Sequence, residues 1–312
     1  MTRTRRTIQL AVLGLFLFLV FVNVYPHGFS FPVDLFMRLD PYSSLGAMLA
    51  SRDVIWRLAP SLVVLASALV VGRAFCGYVC PLGTMLDCSS RVFGFKSKPR
   101  RYRKIANLKY YVLAATFAAA ALGASVAHYF DPLTIAERSG IFVVRQAVSA
   151  VVRAGAGWVA SPGPYFEDRF YSLGIVFALF LAGLVALEML NRRFWCRYFC
   201  PLGAMLSLVG RVAKFGRRVV GCESTDICKR ACIFGAIGDD PRTTRSGECT
   251  LCLRCRPVCP HDAISFGLGT GGDEKVSLGR RAFAGALLAG FAYGVLPGGN
   301  GGSHGGEGRL LH

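Results

Sequence analysis

An α-helical polytopic membrane protein of four or five spans, with a duplicated hairpin and a small cysteine-rich α+β domain, is the fold class this 312-residue sequence predicts. Three observations carry that expectation. The chain is 53% hydrophobic with a mean hydropathy of +0.45, too apolar for an ordinary soluble domain. A segment of 23 residues recurs without a gap at an offset of 120. Finally, 12 cysteines fall in tight groups instead of being spread as in a short secreted disulfide scaffold.

The first span is expected at residues 7–25, after the basic start MTRTRR. The run is long for a signal peptide and lacks a small-residue cleavage site, so it reads as an uncleaved helix. Residues 55–75, 109–130 and 171–190 are the other three, each near the roughly 20 residues that cross a bilayer. With the N-terminus in the cytoplasm, the Lys- and Arg-rich stretches 91–109 and 191–218 fall on the cytoplasmic side and the loop 26–54 outside, as the positive-inside rule requires. Residues 141–160 carry Arg145 and Arg153 and read as a helix along the outer surface. Residues 280–297, after Arg280-Arg281, read either as a fifth span or as a twin-arginine export signal. The net charge of +18 sits beside apolar runs, which points to bacterial inner-membrane topology and away from nucleic acid.

The repeat pairs RAFCGYVCPLGTMLDCSSRVFGF (73–95) with RFWCRYFCPLGAMLSLVGRVAKF (193–215), twelve of 23 positions being identical. Each copy follows the cytoplasmic end of a span and carries C-x3-C-P. The spacing places two sulfurs about one helical turn apart. Cys76, Cys80, Cys196 and Cys200 are thus open to three readings: four ligands of one further cluster, a thiol redox couple, or a structural role. Cys88 has no counterpart in the second copy and reads as a free thiol.

The strongest motif is CTLCLRCRPVCP at 249–260. Three thiolates at C-x2-C-x2-C wrap the corners of an iron–sulfur cluster, and in two-cluster ferredoxins the fourth cysteine of such a run ligates the neighbouring cluster. Zinc also uses C-x2-C, but four cysteines in eleven residues followed by Pro favour iron–sulfur. The complementary half is Cys222-x5-Cys228-x3-Cys232. Cross-ligation then assigns Cys232, Cys249, Cys252 and Cys255 to a complete [4Fe-4S] site. Cys222, Cys228 and Cys259 form a second site one thiolate short, because Thr225 occupies the remaining position. That site suits a [3Fe-4S] cluster, or a [4Fe-4S] cluster with an oxygen ligand such as Asp226; a site that holds nothing is the other reading. PHDAI at 260–264 and FGAI at 234–237 are expected to give the closing strands.

At these residues the chain resembles the NapH/NosR-type membrane ferredoxins, over about residues 7–266. The resemblance implies a quinol dehydrogenase-type subunit that moves electrons between the quinone pool and iron–sulfur centres, with other redox subunits or cytochromes as partners. The family's motif cysteines carry over as Cys76, Cys80, Cys196, Cys200 and the ferredoxin cysteines above. Thr225 and the apolar segment after the ferredoxin part depart from the pattern.

The organisation expected is a membrane domain at 1–215, a cytoplasmic bacterial-type two-cluster ferredoxin domain at 216–270, and an apolar segment with a Gly-rich tail at 271–312. His27, His128 and Asp131, near the outer ends of spans, are candidates for a quinone site that takes protons, with helix capping the plainer role. The function expected is electron relay. A maturation factor that reduces copper or another cofactor is the alternative. A membrane anchor for a periplasmic partner is a third. No general acid–base or nucleophile arrangement points to a hydrolase or transferase.

Overall fold

The computed structural model describes residues 2–22, 35–94, 105, 107–122, 127–148, 150, 173–222 and 226–268. His27, Thr225 and residues 280–297 lie outside the described residues, as do residues 149 and 151–160 of the expected surface helix.

The described chain is mainly helical. Helix α1 (Thr2–Val22), of 21 residues, starts with a basic turn and holds an apolar window of 18 residues, Thr4–Phe21, about 27 Å long and near the thickness of a hydrocarbon core. The other expected spans come out shorter. Helix α4 (Pro60–Val71) has 12 residues, α7 (Leu108–Ala121) 14 and α10 (Leu173–Leu190) 18, or about 18, 21 and 27 Å. Among the described residues α1 alone is long and apolar enough to cross by itself. Helix α4 ends at Gly72, where φ is +60°, and the chain bends by 99° into residues 74–92. A hydropathy window averages over that bend, because Leu69, Val70 and Val71 before it and Ala74 and Phe75 after it are apolar.

Five of the described helices, α4 among them, begin with proline at the first turn, where its missing N–H is not needed. Helices α3 (Pro41–Ser51) and α9 (Pro132–Ser139) start after Asp40 and Asp131. Asp40 accepts from the amides of Tyr42 and Ser43 at 3.0 and 3.3 Å; Asp131 accepts from the Thr134 amide at 2.7 Å. Helices α6 (Pro81–Val92) and α12 (Pro201–Val209) start after Cys80 and Cys200. Two short helices, α5 (Ala74–Tyr78) and α11 (Phe194–Tyr198), carry the first cysteine of each pair. Helices α2 (Leu35–Arg38) and α8 (Ala127–Phe130) are single turns before α3 and α9. After α9 the chain makes one wide turn, Gly140–Val144, and stays helical through 148.

The repeat therefore extends beyond its 23 residues. Helices α1, α3, α4, α5 and α6 make one copy, and α7, α9, α10, α11 and α12 the other. The copies interlock. Helix α6 packs on α1 of its own copy and on α9 and α10 of the other; α12 packs on α7 of its own and on α3 and α4 of the other. Leu82 and Leu86 on α6 and their counterparts Leu202 and Leu206 on α12 are fully buried at these seams, each worth about 2 kcal/mol of apolar burial.

The C-terminal part is a two-stranded antiparallel sheet with short helical and loop segments. Strand β1 (Phe215–Val219) pairs with β2 (Ile264–Leu268), from Phe215 opposite Leu268 to Val219 opposite Ile264. The strand expected after PHDAI is present. FGAI gives only an isolated bridge, Ile237 to Thr244, and the partner strand comes instead from the segment just after α12. Helix α13 (Ile227–Ala231) carries Cys228 and ends at Cys232.

Candidate iron–sulfur centres

Cys232, Cys249, Cys252 and Cys255 line one cavity, together with Phe234 and Arg217. These are the four cysteines that cross-ligation assigns to one site. Leu251 and Leu253, between the cysteines of the run, have φ of 51° and 58°, the left-handed conformation that curls the loop around a centre. The amide of Ala236 donates to Cys232 Sγ at 3.3 Å, the kind of contact that stabilises a ligand thiolate. Burial pushes the thiols of Cys249 and Cys255 up to about 12, and that of Cys232 up as well. Without a cation the sulfurs stay protonated; binding iron expels those protons. An apolar cavity ringed by four thiols fits a cluster.

The second ferredoxin set is looser. Cys228 is buried and accepts from Arg217 Nη2 at 3.6 Å, and Cys222 is near enough for their charges to interact. Cys259 packs against the small core formed by Cys228, Ile237 and Ile264. Asp226 is 58% exposed and pairs with Lys229 at 3.0 Å.

The C-x3-C-P cysteines converge. Cys76, Cys80, Cys196 and Cys200 are 8, 5, 6 and 3% exposed and belong to one buried cluster. Cys200 lies within electrostatic reach of the other three, as Cys80 does of Cys76 and Cys196. Cys80 and Cys200 hold matching backbone angles, φ −62°, ψ 115° and φ −64°, ψ 112°, so the copies present the second sulfur alike. The Gly203 amide donates to Cys200 Sγ at 3.2 Å. Two buried donors nearby, Arg73 Nε and Trp195 Nε1, have no acceptor among the described residues. An anionic, sulfur-rich group would supply one. Among the described residues no three His, Cys, Asp or Glu side chains lie close enough to share one metal ion.

At the far end of α3, His128 Nδ1 and Ser43 Oγ are 2.8 Å apart. Asp131 is fully buried, and its carboxyl shares a hydrogen bond with the equally buried Asp40, which the sequence reading did not single out. Burial, and then the Asp131 charge, hold the Asp40 carboxyl protonated well above the usual range. The matching Asp-Pro helix starts at 40–41 and 131–132 were the available signal. Tyr42, also fully buried, is within electrostatic reach of Asp40, Asp131 and Cys200. Helix α3, which carries Tyr42, packs on α4, α7 and α12.

Two sequence models, each described as a 4Fe-4S binding domain, match this chain. One covers residues 54–100 and 173–221, hence both copies of the repeat, and the other covers 245–265. The methylamine utilization ferredoxin-type protein MauN of Paracoccus denitrificans is 30% identical over 67% of this chain and 68% of its own length. The chain belongs to the NapH/NosR-type membrane ferredoxins. Within that family of iron–sulfur electron-transport proteins, the ferredoxin-type protein NapH of Haemophilus influenzae is 23% identical over 84% of this chain and 88% of its own. The putative electron transport protein YccM of Escherichia coli is 25% identical over 70% of this chain, which spans 56% of YccM. No solved structure matches.

Proposed function

We propose that this ferredoxin is a polytopic inner-membrane electron relay, taking electrons from a quinol and passing them to partner redox proteins. The ferredoxin cysteines and the N-terminus face the cytoplasm in this reading. Bound iron–sulfur clusters supply single-electron transfer. Cys232, Cys249, Cys252 and Cys255 would hold one, Cys222, Cys228 and Cys259 a second, and Cys76, Cys80, Cys196 and Cys200 a third. The observation that carries the proposal is the contact between the first and last of these. A Cβ on Gly77, the residue after Cys76, would lie 2.7 Å from the carbonyl of Thr250, the residue after Cys249. Tyr78 donates to the Leu251 carbonyl at 2.9 Å, and Arg5, at the start of α1, donates to the Cys252 carbonyl at 3.3 Å. The ferredoxin loop is therefore seated on the cysteine-bearing turn of the first copy.

A quinol becoming a quinone releases two protons with its two electrons. In this reading Asp131 and His128 receive them, with the protonated Asp40 carboxyl hydrogen-bonded to Asp131 and Tyr42 within electrostatic reach of both carboxyls and of Cys200. The number of spans, four or five, belongs to this proposal too. The alternative, a maturation factor that reduces copper or another cofactor, differs in the electron acceptor. The four C-x3-C-P thiols are buried, so such an acceptor would be reduced at a distance and not bound by them.

The test is anaerobic addition of excess quinol to the purified full-length protein. Bleaching of the visible iron–sulfur absorbance without any partner is expected, and weakening of that response in Asp131→Asn. Clusters that stay oxidised under excess quinol would remove the direct quinone reaction.

A further inference from the structure

Arg73 and Arg193 are the first residues of the two repeat copies and occupy equivalent positions. Both are buried, at 0 and 1% exposure. Each reaches into the other copy. Arg193 Nη1 donates to the Cys76 carbonyl at 2.8 Å; Arg73 Nη2 donates to the Cys196 carbonyl at 3.2 Å. Each lies against the glycine after the other copy's Cys-Pro-Leu. A Cβ on Gly83 would sit 2.9 Å from Arg193 Nη1, and one on Gly203 2.6 Å from Arg73 Nη2. Both guanidinium groups also pack on one ring, Phe234, at 5.8 Å for Arg73 and 5.3 Å for Arg193. Phe234 in turn lines the cavity of the complete ferredoxin site.

The counter-ions are where the symmetry breaks. Arg193 pairs with Asp87 at 2.9 Å, on α6 of the first copy, and Arg5 from the start of α1 joins the same carboxylate at 3.1 Å. The equivalent of Asp87 in the second copy is Ser207, which carries no charge. The carboxylate facing Arg73 comes instead from Glu248, the residue before Cys249, at 2.5 Å. Ser207 Oγ donates to that carboxylate at 3.1 Å, and Lys109, from the start of α7, pairs with it as Arg5 does with Asp87. Glu248 thus occupies the place of the missing carboxylate.

We infer that Arg73 and Arg193 are paired positioning residues that offset the negative charge of the four C-x3-C-P thiolates, and that Glu248 ties the ferredoxin loop to that site by supplying the counter-ion the second copy lacks. The inference rests on the reading that those four cysteines hold a cluster. Two fixed cations beside an electron-accepting site favour its reduced, more negative form. The nearby carboxylates oppose that effect. The ferredoxin loop and the C-x3-C-P site are then linked electrostatically as well as by contact.

The experiment is an anaerobic redox titration of the full-length protein, followed by EPR and visible absorbance, with iron quantified in each variant. Cys196→Ser first identifies the signal of the four-cysteine site. For that signal, Arg193→Gln should lower the midpoint potential, Glu248→Gln should raise it, and Arg73→Lys should leave it near the wild-type value. Adding Ser207→Asp to Glu248→Gln should return the potential toward wild type, a rescue that a purely structural role does not require. If Arg193→Gln does not fold, the Glu248→Gln shift and its rescue decide the matter. Unchanged iron and spectra in Cys196→Ser would remove the cluster reading itself. A cluster that is present but whose potential is unmoved, or moves the same way in Arg193→Gln and Glu248→Gln, would overturn this inference and leave that reading in place.

Discussion

Cys76, Cys80, Cys196 and Cys200 come two from each copy of a duplicated hairpin, whereas Cys249, Cys252 and Cys255 come from one short loop. The first set is enclosed by helices of both copies and by buried ion pairs. The second is half-buried, and its shape is set by local left-handed turns at Leu251 and Leu253. The difference teaches which parts of the molecule depend on global folding. The four C-x3-C-P thiols come together only when both copies interlock, while the ferredoxin thiols come from Cys232 and one short loop that rests on the first copy through Gly77, Tyr78 and Arg5.

Disturbing the interlock should therefore cost most. Asp87 is buried with Arg193 and Arg5, and Asp87→Ala leaves two buried cations without a partner, a loss of about 3–5 kcal/mol. Thermal unfolding in detergent should show it as a large drop in midpoint. Glu248→Gln should cost less, because Glu248 keeps 18% of its side chain exposed against 2% for Asp87.

Glycine substitutions sharpen the same contrast. Gly83→Ala and Gly203→Ala would each press a methyl against a guanidinium, costing about 1–3 kcal/mol. Iron should be lost from the four-cysteine site first, with the ferredoxin signals retained. Gly216→Ala on β1, where a Cβ meets nothing within 4 Å, should behave as wild type in both iron content and stability.

Smaller effects separate the two ferredoxin sites. Cys232→Ser should abolish the complete site, whereas Cys259→Ser should change only the signal of the other. An oxidised-state [3Fe-4S] EPR signal that survives Cys222→Ala would remove the assignment of the incomplete site. Thr225→Cys should add roughly one iron per chain and convert a three-iron signal to a four-iron one. The least effect is expected at Cys88, whose replacement by Ser should leave iron and spectra unchanged.

The cysteine motifs were legible in the sequence because spacing along the chain is a local, covalent property. Cys232 was joined to Cys249, Cys252 and Cys255 by motif logic, and the same four line one cavity. The repeat announced that two C-x3-C-P turns are equivalent. What could not be read were contacts between distant residues. Arg73 and Glu248 are 175 positions apart, and nothing in either neighbourhood names the other. Asp40 and Asp131 each look like an ordinary helix start, and only folding brings the two carboxyls together. Helix lengths failed for a different reason. Residues 55–75 are apolar on average despite Arg57, Pro60 and Arg73, while Gly72 ends α4 and turns the chain. FGAI looked like a strand because it is short and apolar, yet β2 pairs with the segment after α12.

The central claim is that the duplicated C-x3-C-P turns hold a cluster of their own beside the ferredoxin centres. Iron and sulfide analysis with EPR on the full-length protein, wild type against Cys76→Ser/Cys196→Ser, tests it most directly. A loss of roughly four irons per chain with the ferredoxin signals intact is the expected result. Unchanged iron content and unchanged spectra would contradict it.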